Sequence, residues 1–153
     1  MSNARLAGRY AKSLLGLAQE QGQLEVVYAD MKYIQAVCNA SSEFVNLLRS
    51  PIIKADQKNS IINSVTKDKV SLLTNSFTVL IVKKGRERDL PEMATTFIEQ
   101  YNTLKGIHQV TLTTAVDVSD ALKKSIEDKV KAESKFVTVE LTTKTDDSLI
   151  GGF

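Results

Sequence analysis

Residues 4–19 read ARLAGRYAKSLLGLAQ, and the fold follows from how this stretch is placed. At 100° per residue, Leu6, Leu17, Tyr10, Leu14, Ala7, Ala18, Ala11, Ala4 and Leu15 fill one arc of about 180°. Arg5, Gly8, Arg9, Lys12, Ser13, Gly16 and Gln19 fill the other half. A helix on the surface of a bundle needs an apolar stripe only about 100° wide. The surplus is either covered by a larger core or offered to another helix, and periodicity alone does not separate the two.

Working outward, the same helical period recurs. Leu24, Val27, Tyr28, Met31, Ile34 and Cys38 form a second stripe. Ser41 or Ser42 can cap a short third helix, which Ser50-Pro51 ends, because the residue before proline avoids the helical region. Asp56 is expected to cap a fourth helix carrying Ile61, Ile62 and Val65, and Asp68 a fifth running to Lys84. The main face of the fifth reads as Val70, Leu73, Phe77, Leu80 and Ile81, with Leu72, Val79 and Val82 opposite and the small Ser76 between. Gly85 suits its left-handed end. A sixth helix starts near Pro91, carries Met93, Phe97, Ile98, Tyr101 and Leu104, and stops at Gly106.

Past Gly106 the period becomes two. Val110, Leu112, Val116 and Val118 predict a strand. Ser119 then caps a helix with Leu122, Ile126 and Val130 inward, and Val137, Val139 and Leu141 alternate again. KTDDS (144–148) reads as a turn, and LIGGF (149–153) as the start of another strand. The expectation is a mainly α protein: a six-helix bundle over 1–105, then a small, incomplete α/β domain over 107–153.

The chain of 153 residues has 42% hydrophobic and 25% charged residues, enough to build a core. A net charge of +2 argues against nucleic acid as a partner, and Glu87 and Asp89 dilute the densest basic stretch, KKGRER (83–88). One cysteine, Cys38, and one histidine, His108, give no converging metal-ligand set, and both read as structural. The glycine pair Gly151-Gly152 is not followed by a helix that could cradle phosphate, and Asp146-Asp147 reads as a turn former. No catalytic constellation, cofactor or metal site is expected.

Four segments carry a resemblance. ARLAGRYAKSLLGLAQEQGQL (4–24), LLRSPIIKADQK (47–58), SFTVLIVKKGRERDLPEMATTFIEQYNTLKGI (76–107) and VELTTKTDDSLIGGF (139–153) are similar, in that order, to stretches of the δ subunit of F-type ATP synthases, homologous to the mitochondrial oligomycin-sensitivity-conferring protein. The resemblance implies a non-catalytic stator subunit that links the catalytic F1 head to the peripheral stalk. It implies a groove between the first and fifth helices for the N-terminal helix of an α subunit. The residues it points to are Leu6, Tyr10, Leu14 and Leu17 on one wall and Ser76, Val79 and Leu80 on the other; the small Ala7 and Ala11, with Ser76, are expected to permit close approach and so to belong to the groove as well.

The second domain, with Gly151 and Gly152 in its signature, is expected to face the b subunits of the stalk. Membrane association is expected only through the complex, at the cytoplasmic face of a bacterial inner membrane. The competing expectation is a stand-alone adaptor for amphipathic helices, told apart by whether the protein co-purifies with an ATP synthase head. In the family the glycine pair is followed by further elements, so the chain reads as truncated there and its sheet as left with an open edge. The region after Gly106 is therefore expected to exchange its amide hydrogens faster than the bundle; uniform protection along the chain would contradict this.

Overall fold

The computed structural model describes residues 3–134 and 138–150. The chain divides into two compact units, 1–101 and 102–153. That boundary lies inside the sixth helix, earlier in the chain than the glycine at which the sequence changes period.

In the first unit, α1 (Ala4–Glu20) begins where the Asn3 side chain accepts a hydrogen bond from the Leu6 amide at 3.1 Å. It ends at Gly22, whose φ of 65° lets the Gln23 amide reach back to the Ala18 carbonyl. The tight reversal feeds α2 (Leu24–Ala40) back along it. Ser41 caps α3 (Ser42–Arg49) through the Phe44 amide, and Ser50-Pro51 follows its end. α4 spans Ala55–Thr66 and α5 Leu72–Lys83. Gly85, at φ 66°, closes α5 with the Arg86 amide on the Ile81 carbonyl. A 3-10 turn (Glu87–Asp89) then leads into α6 (Leu90–Lys105).

Two caps fall elsewhere than the sequence suggests. The N-cap position of α4 is Lys54, and Asp56 lies in the first turn, where its charge still suits the helix dipole. Asp68 takes a left-handed conformation, φ 58°, in the turn before α5 and caps nothing. Ser71 is the cap, accepting from the Thr74 amide, and so Val70 lies outside the helix.

Small residues decide how α1 sits. Ala7, Ala11 and Ala18 are fully buried along with Leu14, which lets the α1 backbone come close to the core. Val27, Met31 and Ile34 of α2, Leu48 of α3, Ile62 of α4, Phe77 and Ile81 of α5 and Phe97 of α6 complete that core. Tyr101 stacks on Tyr28 with ring centroids 3.8 Å apart, and its hydroxyl donates to Glu25 at 2.6 Å.

Two buried polar clusters tie the helices together. On α2, one oxygen of Asp30 accepts from the Ser71 amide, the Ser71 hydroxyl and the Thr74 hydroxyl at 2.9, 2.6 and 2.7 Å. Lys58 of α4 donates to Glu87 at 2.7 Å and to the Leu48 carbonyl at 2.9 Å, pinning the 3-10 turn to the end of α3.

The second unit has β1 (Ile107–Thr114), α7 (Asp120–Ser134) and β2 (Thr138–Thr145). The strands pair in parallel, Ile107 opposite Thr138 through Thr114 opposite Thr145, and α7 supplies the crossover that parallel strands require. Ser119 caps α7 through the Leu122 amide, and Asp146 forms the expected turn by accepting from the Ser148 amide and hydroxyl.

Three sequence readings need correction here. Val116 and Val118 lie past the end of β1: the Thr114 hydroxyl donates to the Val116 carbonyl at 2.6 Å and turns the chain, which leaves Val116 exposed. Leu122 is exposed, while Ile126 and Val130 are half-buried. Leu149 and Ile150 lie outside any strand. Val137, Gly151, Gly152 and Phe153, and the side chains of His108, Val110 and Val139, lie outside the described residues.

Removing one partner of a buried ion pair strands the other, at a cost of about 3–5 kcal/mol, whereas replacing both with apolar groups is often neutral. Lys58→Met is therefore expected to lower the unfolding free energy by about 3 kcal/mol or more, and Lys58→Met/Glu87→Leu to recover most of the loss in chemical denaturation. Equal destabilisation by the single and double variants would show that the pairing contributes little.

Candidate functional site

Between α1 and α5 lies an open cleft of about 350 Å³, lined by Tyr10, Ser13, Leu14, Leu17, Leu73, Ser76, Phe77 and Leu80. Its floor is Leu14 and Phe77, both buried. Half-buried Tyr10 and Leu73 form its shoulders. Its rims are Leu17, 41% exposed, and Leu80, 44% exposed, beside the exposed Ser13 and Ser76. Large aliphatic side chains left this open to water around a concave floor are the usual mark of an apolar docking surface.

The two walls repeat one pattern. Tyr10, Ser13, Leu14 and Leu17 stand at i, i+3, i+4 and i+7 on α1, and Leu73, Ser76, Phe77 and Leu80 stand at the same spacing on α5. Each wall thus carries a large shoulder, a small serine, a large floor residue and a leucine rim. The serines keep the lips low, so the cleft is open above its floor.

Of the residues singled out from the sequence, Tyr10, Leu14, Leu17, Ser76 and Leu80 line the cleft. Ala7 and Ala11, 0% and 1% exposed, do not: they lie on the core side of α1, where their size permits close packing. Leu6 is half-buried and Val79 exposed, and neither lines the cleft. Ser13, Leu73 and Phe77 line it and were not singled out; the spacing shared by the two helices is the signal that points to them.

The orientation of α5 explains the difference. Thr74, Phe77, Thr78, Ile81 and Val82 face the core. Thr74 is turned inward by its bond to Asp30, and the Thr78 hydroxyl is satisfied by the Asn75 carbonyl at 2.8 Å. With two threonines inward, Leu80 rotates out to the rim and Val82 rotates in, the reverse of a reading that counts only aliphatic residues.

Among the described residues no group of three or more His, Cys, Asp or Glu side chains is placed to hold a metal ion. No helix among them is long and apolar enough to cross a membrane. Cys38 is buried and unpaired. Burial pushes its thiol up from 9 to about 11, with Glu92 adding to the rise and Arg49 opposing it.

A helical bundle that presents an apolar cleft of this form has the geometry on which amphipathic helices dock in helix-in-groove modules. Residues 6–153 match the family described as the ATP synthase delta (OSCP) subunit. The ATP synthase subunit delta of Cytophaga hutchinsonii is 36% identical over 153 residues, covering 100% of this chain and 83% of that protein. That of Lachnoclostridium phytofermentans is 31% identical over 143 residues, covering 94% and 79%. A chain in the cryo-EM structure of the Toxoplasma gondii mitochondrial ATP synthase hexamer shares the fold, with a TM-score of 0.79, 24% identity, and coverage of 94% of this chain and 79% of that one. The chain belongs to the ATP synthase delta (OSCP) subunit family.

The buried thiol yields a test with a definite sign. The unfolded chain ionises Cys38 near pH 9 and the folded chain only near 11, so the stability this group supplies is complete below about pH 9 and is lost as pH rises toward 11. Denaturation at pH 8, 9, 10 and 11 is expected to show a decline at the alkaline end that is shallower in Cys38→Val, and a thiol reagent at pH 8 to modify Cys38 only on unfolding. Rapid modification of the folded protein at pH 8 would contradict the assignment.

Proposed function

We infer that this chain works as a stator subunit of an ATP synthase, joining the catalytic F1 head to the peripheral stalk, and that it does so without catalysing a step itself. In the finer reading, the α1–α5 cleft receives the amphipathic N-terminal helix of an α subunit. The unit after the bundle faces the b subunits of the stalk. The assembly holds the chain at the membrane, and in a bacterium that place is the cytoplasmic face of the inner membrane. The division of labour is then 1–105 for the head and 107–153 for the stalk.

The observation that carries this reading is the cleft: a buried apolar floor between two exposed leucine rims, on a chain of this family. The mechanical requirement agrees with it. A stator bears elastic load while the rotor turns, so its joint must be strong without moving parts. Apolar anchors seated in a preformed groove supply that, because the walls are already ordered and little is spent on rearrangement. The floor residues are held from behind by the core, so load on the docked helix passes into the whole bundle.

Ser76→Arg and Leu80→Asp change exposed positions and are expected to leave the circular dichroism spectrum and unfolding midpoint nearly unchanged. Each is expected to weaken binding of a synthetic α-subunit N-terminal peptide by at least about tenfold in calorimetric titration, since it puts bulk or charge over the apolar floor. Ala11→Glu is expected to unfold the bundle, so it cannot report on the cleft. Unchanged affinity in both Ser76→Arg and Leu80→Asp would remove the cleft from the interface.

A further inference from the structure

The cleft has a directional problem. The backbone amide of Asn3 lies 3.5 Å from Asp89, just before α6. The Gln100 side chain donates to the Gly8 carbonyl, so α6 runs alongside α1 in the same sense. α5 ends at the Gly85 reversal just before Glu87–Asp89, while its start is held by Asp30 in the middle of α2, the return arm of the α1–α2 hairpin. α5 therefore runs antiparallel to α1, with Leu80 at the Tyr10 end and Leu73 at the Leu17 end.

Two antiparallel walls with the same shoulder, serine, floor and rim pattern make the lining nearly the same when read from either end. An apolar helix face would meet leucine rims and serine lips whichever way it lay. Apolar contact alone discriminates weakly between the two directions.

Charge is what breaks the symmetry. Toward the Tyr10 end stand Lys83 and Lys84 at the end of α5 and, on the polar half of α1, Arg5 and Arg9, all exposed, and none in an ion pair among the described residues. The acids nearest the two lysines in sequence, Glu87 and Asp89, are buried in the bundle. At the Leu17 end α1 finishes on the exposed acid Glu20, and the exposed Lys67, Asp68 and Lys69 precede the α5 cap Ser71, so the charges there nearly cancel. We propose that these four cations form an electrostatic stop at one end of the cleft, which sets the direction of the docked helix by engaging carboxylates at one of its ends. KKGRER, diluted in sequence by Glu87, is thus split by the fold: its two lysines serve the cleft, and its glutamate serves Lys58 inside the bundle.

This rests on the cleft being the seat of the α-subunit helix, and the test separates the two claims. The full chain is titrated with a synthetic α-subunit N-terminal peptide at low and at about 0.5 M salt, the latter shrinking the Debye length below about 5 Å. Lys83→Glu/Lys84→Glu and, independently on the other wall, Arg5→Glu/Arg9→Glu are each expected to weaken binding about five- to tenfold at low salt and about twofold or less at high salt, because rim charges act through screened, long-range attraction. Glu20→Lys is expected to leave affinity unchanged or to raise it. Zero-length carbodiimide coupling is expected to join the peptide's acidic end to Lys83 or Lys84. Lys83→Gln/Lys84→Gln, which removes charge without reversing it at a helix end, guards against a folding effect and is expected to give a smaller loss of the same salt dependence.

If Leu80→Asp abolishes binding while both charge reversals bind normally at low salt, the cleft stands and the electrostatic stop falls. Carbodiimide products with both ends of the peptide in equal yield would likewise overturn it. If Leu80→Asp also binds normally, the cleft reading itself fails.

Discussion

Everything at the cleft depends on the hydrogen bonds that Asp30 accepts. One carboxylate oxygen on α2 takes the Ser71 amide and the hydroxyls of Ser71 and Thr74, so the first turn of α5 is fixed in both position and rotation. A helix held only by apolar contact can roll by a fraction of a turn at little cost; one whose cap is bonded from a neighbouring helix cannot. Because Thr74 must point inward, Thr78 on the next turn also points inward, and Ser76 and Leu80 are forced outward. The open rim of the cleft is thus a consequence of a carboxylate on the far side of the helix from it. A buried charge of this kind is costly unless its bonds are made, which favours the one rotation of α5 that makes them.

The opposite wall is set by size rather than by hydrogen bonds. Ala7, Ala11 and Ala18 let α1 lie close to the core, so its larger residues are displaced to the flank that faces α5. Leu14 reaches the floor and Leu17 the rim. The Lys58–Glu87 pair performs the corresponding task at the other end of α5, fixing the turn through which the chain passes into α6. Together these contacts make a wall that yields little, as a joint under load requires.

Much of this was legible in the sequence, and the parts that were not share a cause. Helix ends marked by local chemistry were readable: Ser41 before α3, Gly85 after α5 and Gly106 after α6 act through bonds or dihedral angles within a few residues. The surplus apolar arc of α1 correctly indicated more than a one-sided surface helix. The inner face of α5 is not legible in the sequence, because Thr74 counts as polar until Asp30, 44 positions away in the chain, is brought beside it. Asp68 looked like a cap because it is an acid before an apolar run, but the same distant carboxylate places the helix start at Ser71. The small Ala7 and Ala11 suit close approach, but the wheel does not say which neighbour approaches, and it is the core rather than the cleft. In the second unit, alternation carried past Thr114 into Val116 because a threonine hydroxyl that turns the chain looks no different from one in a strand.

The most direct test of the account is methyl NMR of the full chain, with leucine methyls assigned, during titration with the α-subunit N-terminal peptide. The largest shifts are expected on Leu14, Leu17, Leu73 and Leu80, on both walls at once, while Leu48 in the core and Leu122 in the second unit stay near their starting positions. Shifts confined to one wall, or centred on the second unit with the cleft leucines unmoved, would contradict it.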